Sequence, residues 1–247
     1  MNDRNALDIS VLICTFNRAE SLRETLESLA EADRENLSVE VVVIDNNSSD
    51  HTKEVVESFV DRIPIRYLFE PKQGNGKSDP LNCALDAGGF GDIVAFLDDD
   101  MTVEKDWFLG VRSICDRHPD HDLFSGRSYV IWPQSEVPEW AKSQQILQWG
   151  MSVMESIRKD HEIERGFWPS GNHFWVRKRV FNGGRRFHNL WSEAYFTLQL
   201  LDEGYRGVYG PEAAAGHRIQ PPLLDREVMR KRAILCGKSR ANSCLPF

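Results

Sequence analysis

The sequence predicts an α/β fold built on a mainly parallel, doubly wound sheet, and three observations carry that expectation. Four short apolar runs rich in β-branched residues alternate with stretches of helical period between residues 9 and 100. Each run ends in polar or glycine-rich residues, as strands do when they deliver ligand-binding groups to one edge of a sheet. The runs are almost continuously apolar, so helices are expected on both faces.

The first run, Ile9 to Cys14, leads through Thr15-Phe16-Asn17-Arg18 into a helix whose Leu22, Leu26 and Leu29 share one face. Val39 to Ile44 reads as the second strand, and the polar turn from Asp45 to Asp50 offers capping groups to a helix that buries Val55, Val56 and Phe59. The third, Ile65 to Phe69, gives way to Gln73-Gly74-Asn75-Gly76-Lys77-Ser78 and a helix with Pro80 near its first turn, where a missing N–H costs little. The fourth, Ile93 to Leu97, stops at Asp98-Asp99-Asp100. Crossovers of helical length make the four strands parallel, which gathers Thr15, Asp45, Gly74 to Lys77 and Asp98 at the carboxyl edge.

Beyond Met101 the rhythm loosens. A helix is expected at Trp107 to Cys115, a strand at Phe124 to Ile131, and a Pro- and Trp-rich stretch through Pro133, Pro138 and Trp140. A strand at Gly171 to Val176, a helix from Ser192 to Glu203, a short strand at Gly207 to Tyr209 and a basic C-terminal segment complete the chain.

With 247 residues and 41% hydrophobic content, the chain can bury a sizeable core and reads as one domain. A net charge of −8 argues against a broad nucleic-acid-binding face. Five cysteines, odd in number and without a CxxC pair, fit a reducing cytoplasm. No run approaches the roughly 18 to 20 apolar residues of a bilayer span, and the polar N-terminus lacks a signal core. A soluble cytoplasmic protein is expected, free to work peripherally at a membrane surface.

Three consecutive aspartates after a buried strand raise one another's pKa unless a cation or hydrogen bonds stabilise them. A divalent ion such as Mg²⁺ or Mn²⁺ meets that need, sharing carboxylate and phosphate oxygens; a solvated acidic turn is the plain alternative. In an extended segment Asp98 and Asp100 point to one side and Asp99 to the other. Two other enzyme classes share fragments of this pattern. Asp98 to Thr102 fits the DxDxT of aspartate-nucleophile phosphatases, but no convincing acidic pair follows it. Residues 71–78 approach a phosphate-binding GxxxxGK[ST] loop, yet Pro71 replaces the first glycine and has no N–H to donate.

Taken together, these segments resemble family 2 glycosyltransferases of GT-A fold over nearly the whole chain. ISVLICTFNR (Ile9 to Arg18) is similar to the opening strand and donor loop, and VVIDNNSSD (Val42 to Asp50) to the second strand and nucleobase turn. Gly76-Lys77-Ser78 through Asn82 resembles the glycine-lysine turn, and LDDDM (Leu97 to Met101) the DxD motif. PSGNHFWVR (Pro169 to Arg177) resembles the wall of the acceptor pocket. WSEAYFTLQL (Trp191 to Leu200) resembles the segment carrying the catalytic base, and YRGVYGPEAAAGH (Tyr205 to His217) the closing strand with its Pro-Glu-Ala turn and histidine.

The resemblance implies a nucleotide-sugar donor, UDP-linked by preference, a divalent metal (Mn²⁺ or Mg²⁺) and inversion at the anomeric carbon. Residues 1–102 would form the nucleotide-sugar-binding half, 103–217 the acceptor-side half, and 218–247 a basic helical segment. Thr15, Asn17, Arg18, Asp45, Gly76, Lys77, Asn82, Asp98 and Asp99 fall on donor-binding positions. Asp98, Asp100 and His217 fall at the metal, and Glu193 at the general base. The family more often has an acidic pair ending in Asp where this chain has Ser192-Glu193, and Asn46 replaces a frequent second Asp.

Each residue keeps an ordinary reading beside the functional one. Glu193 is also a helix N-terminal acid, His217 a structural imidazole, Lys77 a surface-turn lysine and Asp45 a capping residue shared with Ser48. Of the seven tryptophans, Trp168 and Trp191 are the candidates for sugar contact. The acceptor is a carbohydrate, lipid-linked or other hydroxyl compound, with a homodimer and a membrane contact for the basic segment left open. An inactive nucleotide-sugar binder is disfavoured by retention of Asp98 and Glu193. A sugar-1-phosphate nucleotidyltransferase is disfavoured because Thr15 to Arg18 contains no glycine.

Overall fold

The computed structural model describes residues 7–73, 76–165, 171–188 and 192–234, without the side chains of Trp149 and Ser192. Gly74, Asn75, Trp168, Pro169, Ser170, Trp191 and the part of the basic C-terminal segment beyond residue 234 lie outside the described residues.

Strands β1 (Ile9–Thr15), β2 (Val39–Asp45), β3 (Ile65–Phe69) and β4 (Ile93–Leu97) fall where the apolar runs lie, separated by helices α1 (Ala19–Glu31), α2 (Thr52–Glu57) and α3 (Ser78–Ala87). There follow β5 (Met101–Val103), α4 (Trp107–Arg117), β6 (Leu123–Ile131), β7 (His161–Ile163), β8 (His173–Arg177), α5 (Ser192–Asp202) and β9 (Gly207–Arg218). All nine strands described join one sheet in the order β3-β2-β1-β4-β8-β6-β9-β5, with β7 on β9.

β1 pairs in parallel with β2 on one side and β4 on the other, and Thr15 stands opposite Asp45 at the shared edge. Alternate residues of β1 explain the two layers. Ile9, Val11 and Ile13 pack with Leu22, Leu26 and Leu29 of α1 and with Trp107 and Val111 of α4. Leu12 belongs to the opposite layer, with Leu81 and Ala84 of α3 and Phe196 and Leu200 of α5. The sheet is thus covered on both faces, as continuous apolar strands require. Helix α1 begins without a cap from Arg18, its neighbour in sequence; Asp50 supplies one from the next loop, accepting from Ala19 N at 3.0 Å.

Beyond β4 the sheet departs from a purely parallel order. β8 runs antiparallel to β4 and to β6, and β5 and β7 antiparallel to β9, while β6 and β9 pair in parallel. β5 follows β4 after only Asp98 to Asp100 and pairs with β9 at the far edge of the sheet, while β8 takes the place beside β4.

The short strand expected at Gly207 to Tyr209 is instead the start of a 12-residue strand, and the expected turn at Pro211-Glu212-Ala213 is a bulge within it. The register jumps from Gly126 opposite Gly210 to Arg127 opposite Ala214. Pro211 has no N–H for the ladder, so the chain bows out there. Gly126 makes the bow possible, because a Cβ at that position would lie 2.0 Å from Ala213 O. The bulge lets β9 carry its far end back to the end of β4, where Met101 pairs with His217.

β8 opens on His173, which is fully buried and accepts a hydrogen bond from Trp107 Nε1 at Nε2, 2.8 Å away. Burial pushes its pKa down from 6.5 to about 3, so the folded state refuses a proton that the unfolded chain binds. Stability from this site is present above pH 6.5 and is lost as pH falls from there toward 3. Urea unfolding should lose up to about 3 kcal/mol from this one group between neutrality and moderately acid pH. A His173→Gln variant should lie lower at neutral pH and fall less steeply; an unchanged slope would remove the histidine from the acid limb.

Candidate active site

The carboxyl edge of β1 and β4 brings four carboxylates around two cations. Thr15 Oγ1 donates to Asp99 Oδ2 at 2.8 Å, and Arg18 spans Asp99 Oδ1 at 2.7 Å and Asp100 Oδ2 at 2.9 Å. Ser21 Oγ donates to Asp99 O at 2.8 Å. Lys77 Nζ binds Asp98 directly and reaches Glu193 Oε1 at 3.0 Å. The ammonium therefore joins the end of β4 to the first turn of α5, residues more than ninety positions apart in the chain.

Asp98 to Asp100 form a turn. The expected alternation of an extended segment, with Asp98 and Asp100 on one side, does not apply: Asp99 and Asp100 share Arg18, while Asp98 faces Lys77. Burial raises the Asp99 pKa, only partly offset by Arg18, and leaves it at about 6. For Asp100 burial is outweighed by His217 and Arg18, which hold its carboxyl well below the usual range. For Lys77 burial is outweighed by Asp98 and Glu193, which keep the ammonium charged far above its ordinary pKa.

His217 Nδ1 lies 2.7 Å from Met151 O, which can only accept, so Nδ1 carries the proton. Nε2 then faces Asp100 Oδ1 at 3.5 Å, and that oxygen is buried without a hydrogen-bond partner. A proton on Nε2 is what lets His217 hold the Asp100 carboxyl low, and a metal ion could take that proton's place between the two atoms. A carboxylate oxygen beside an imidazole whose other nitrogen is anchored to a carbonyl is a donor set that suits Mn²⁺ or Mg²⁺. Among the described residues, no group of three His, Cys, Asp or Glu side chains stands ready to hold an ion. A metal here would need further oxygens, as a diphosphate supplies.

The remaining donor-binding candidates are placed by the same edge. Asp45 is buried, accepting from Tyr67 Oη at 2.7 Å and from Ser48 N at 2.8 Å within the loop; it does not cap α2, whose first residue, Thr52, donates instead to Asp50 Oδ1 at 3.1 Å, and further lone pairs of Asp45 remain. Asn17, at φ 51°, clasps the next loop: Oδ1 accepts from Ser49 N at 2.7 Å, and Asn17 N donates to Ser48 Oγ at 2.9 Å. Gly76 adopts φ 58° in the turn before Lys77, a conformation that favours glycine. Asn82 is engaged by the backbone of Phe187. Its amide donates to Phe187 O and accepts from Phe187 N, both at 2.9 Å, tying α3 to the segment that leads toward α5.

Three residues support the site: Arg218 escaped the sequence reading, whereas Asn172 and Gly171 belong to the segment read as the acceptor wall. Arg218 donates to Ser21 O at 2.7 Å, Thr25 Oγ1 at 2.8 Å and Asp99 O at 3.1 Å, bracing the aspartate turn from behind. Asn172 O accepts from Asp98 N at 3.1 Å, joining the Gly-Asn segment to the same turn. Gly171 makes room for the base candidate, since a Cβ there would lie 3.3 Å from Glu193 Cβ. A charged residue closing a strand beside His217 was the available signal for Arg218. Trp175, which was not a candidate for sugar contact, is core, stacked on Phe124 with centroids 6.2 Å apart.

Solved structures share this arrangement of chain. One is TarS residues 1–349 from Staphylococcus aureus in complex with UDP-GlcNAc, with a TM-score of 0.66 at 18% identity over 96% of this chain and 66% of that one. Another is the mannosyltransferase PcManGT from Pyrobaculum calidifontis in complex with GDP-Man and Mn²⁺, with a TM-score of 0.65 at 18% identity over 99% and 67%. The fold is accordingly that of the GT-A nucleotide-sugar transferases. The model of glycosyl transferase family 2 matches residues 10–183, well over half of the chain. The chain belongs to glycosyl transferase family 2. Glucosyl-dolichyl phosphate glucuronosyltransferase of Haloferax volcanii is 26% identical over 230 residues, covering 86% of this chain and 70% of that protein. Matches to two other curated relatives span only 32% and 19% of their lengths.

Proposed function

We propose that the chain transfers a glycosyl group, with inversion, from a nucleoside diphosphate sugar to an acceptor hydroxyl, with Glu193 as general base and a divalent cation at Asp98, Asp100 and His217. The observation that carries this reading is the convergence of Asp98, just past β4, and Glu193 on α5 upon the single ammonium of Lys77. Both carboxylates thereby share one charged group at the sheet's carboxyl edge, which supports reading Asp98 as donor-side and Glu193 as the base.

When bound, the cation supplies Lewis acidity to a departing diphosphate. The protein's groups do the rest. Lys77 holds Glu193 by an ion pair at 3.0 Å, and a carboxylate oxygen of Glu193 would take the acceptor's proton. Arg18 and Lys77 add positive charge where a diphosphate would lie, and Asp45 at the β2 edge offers its spare lone pairs to a nucleobase. A UDP-linked donor is favoured by the UDP-GlcNAc complex of TarS, and the GDP-Man complex of PcManGT makes GDP the comparison to run. The glucosyl-dolichyl phosphate in the Haloferax relative's name favours a lipid-linked acceptor, and with it work at the cytoplasmic face of a membrane. Among the described residues, no helix is long and apolar enough to cross a membrane.

Calorimetric titration with UDP and GDP, each with Mn²⁺, with Mg²⁺ and with chelator, tests the reading. UDP should bind at least about tenfold tighter with metal than without. Equal affinity in all three conditions would defeat the metal assignment.

A further inference from the structure

We infer that the face formed by the 226–234 helix and the 3₁₀ turn Glu139–Lys142 is a docking surface for an anionic phospholipid bilayer. The helix carries Arg226, Arg230, Lys231 and Arg232 against the single carboxylate Glu227, in a chain whose net charge is −8. Such a chain is repelled by an anionic surface everywhere except where cations concentrate. The same helix exposes Val228 (40%) and Ile234 (44%), two of the six large apolar side chains that stand exposed among the described residues. Cations alone would suit a soluble polyanion. Cations interleaved with exposed aliphatic groups suit a bilayer interface, where the charges meet phosphates and the apolar groups enter the headgroup boundary.

The platform beneath is itself incompletely covered. Five residues of its hydrophobic cluster are buried, and eight more, including Trp140, Leu223 and Leu224, are only partly so. Arg226 lies over the Trp140 ring at 5.8 Å, an aromatic and cation pairing of the kind found at membrane interfaces. Met229 on the inner side seats the helix tightly, since a Cβ at Gly150 would lie 2.5 Å from its sulfur. Met151, the next residue, holds His217 through its carbonyl. Docking by this face therefore sets the aspartate turn close to the lipid surface, where a lipid-linked acceptor would be met; that consequence, unlike the surface, rests on the transfer reading.

Co-sedimentation of the full chain with vesicles tests the surface. Vesicles with about a third phosphatidylglycerol should bind it at low ionic strength, pure phosphatidylcholine should not, and near-molar salt should release it. The pair Arg230→Glu and Lys231→Glu, both exposed, should reduce partition at least about tenfold. Val228→Ser with Ile234→Ser should also weaken it, by about threefold or more. No preference for anionic vesicles, or undiminished partition of either double variant, overturns the proposal. So does a dimer in solution that the charge-reversed variant dissolves, with no vesicle binding, since the face would then belong to a second copy. Hydrolysis of the nucleotide sugar without vesicles is measured in parallel: its absence alongside normal partition would count against the transfer reading and leave the surface standing.

Discussion

Glu193→Gln should lower glycosyl transfer by about 10²- to 10⁴-fold, the usual contribution of a positioned general base, while nucleotide affinity changes by less than about threefold. The side chain keeps its length and its carbonyl oxygen, so the amide can still accept from Lys77 across the 3.0 Å that now separates Nζ from Oε1. What is lost is the capacity to take a proton. Glu193→Asp retains that capacity with one methylene less and should recover part of the rate. This separates proton transfer from packing, because neither variant adds atoms beside Gly171, whose missing Cβ leaves room for the residue at 193. Near-normal turnover by the glutamine variant would reassign the base.

Asp100→Asn should abolish the advantage that Mn²⁺ lends to UDP binding and lower transfer by about 10³-fold, the loss expected when charge stabilisation of a leaving group worth several kcal/mol disappears. The substitution is nearly isosteric. Its Oδ2 position still meets Arg18, and removing one charge relieves repulsion from Asp99, so the melting temperature should move by no more than a few degrees. Loss of the carboxylate facing His217 Nε2 is the one large change. A variant that keeps metal-linked UDP binding would shift the ion to Asp98 and leave His217 as a structural imidazole.

The role of Asn82 shows how resemblance and geometry divide. Its position matches a donor-side asparagine, yet both of its amide groups are engaged by Phe187, across 105 residues of sequence. If Asn82 influences the reaction, it does so by fixing the segment that leads toward Glu193. Such a pairing has no local signature, because nothing in the residues around Asn82 or Phe187 encodes their separation in space.

By itself, the sequence determined the four parallel strands, the helices between them and the edge at which Thr15, Asp45, Lys77 and Asp98 meet. Those features follow from burial acting on neighbouring residues: continuous apolar runs need cover on both faces, and a short polar turn after each run must lie at a sheet edge. Tertiary structure alone decided the antiparallel half of the sheet, the bulge of β9 permitted by Gly126, the sharing of Arg18 between Asp99 and Asp100, and the bridge from Asp98 through Lys77 to Glu193. Each depends on groups far apart in the chain meeting at a distance of a few ångströms. Electrostatic pairing and close packing act on position in space, and local sequence pattern carries no record of it.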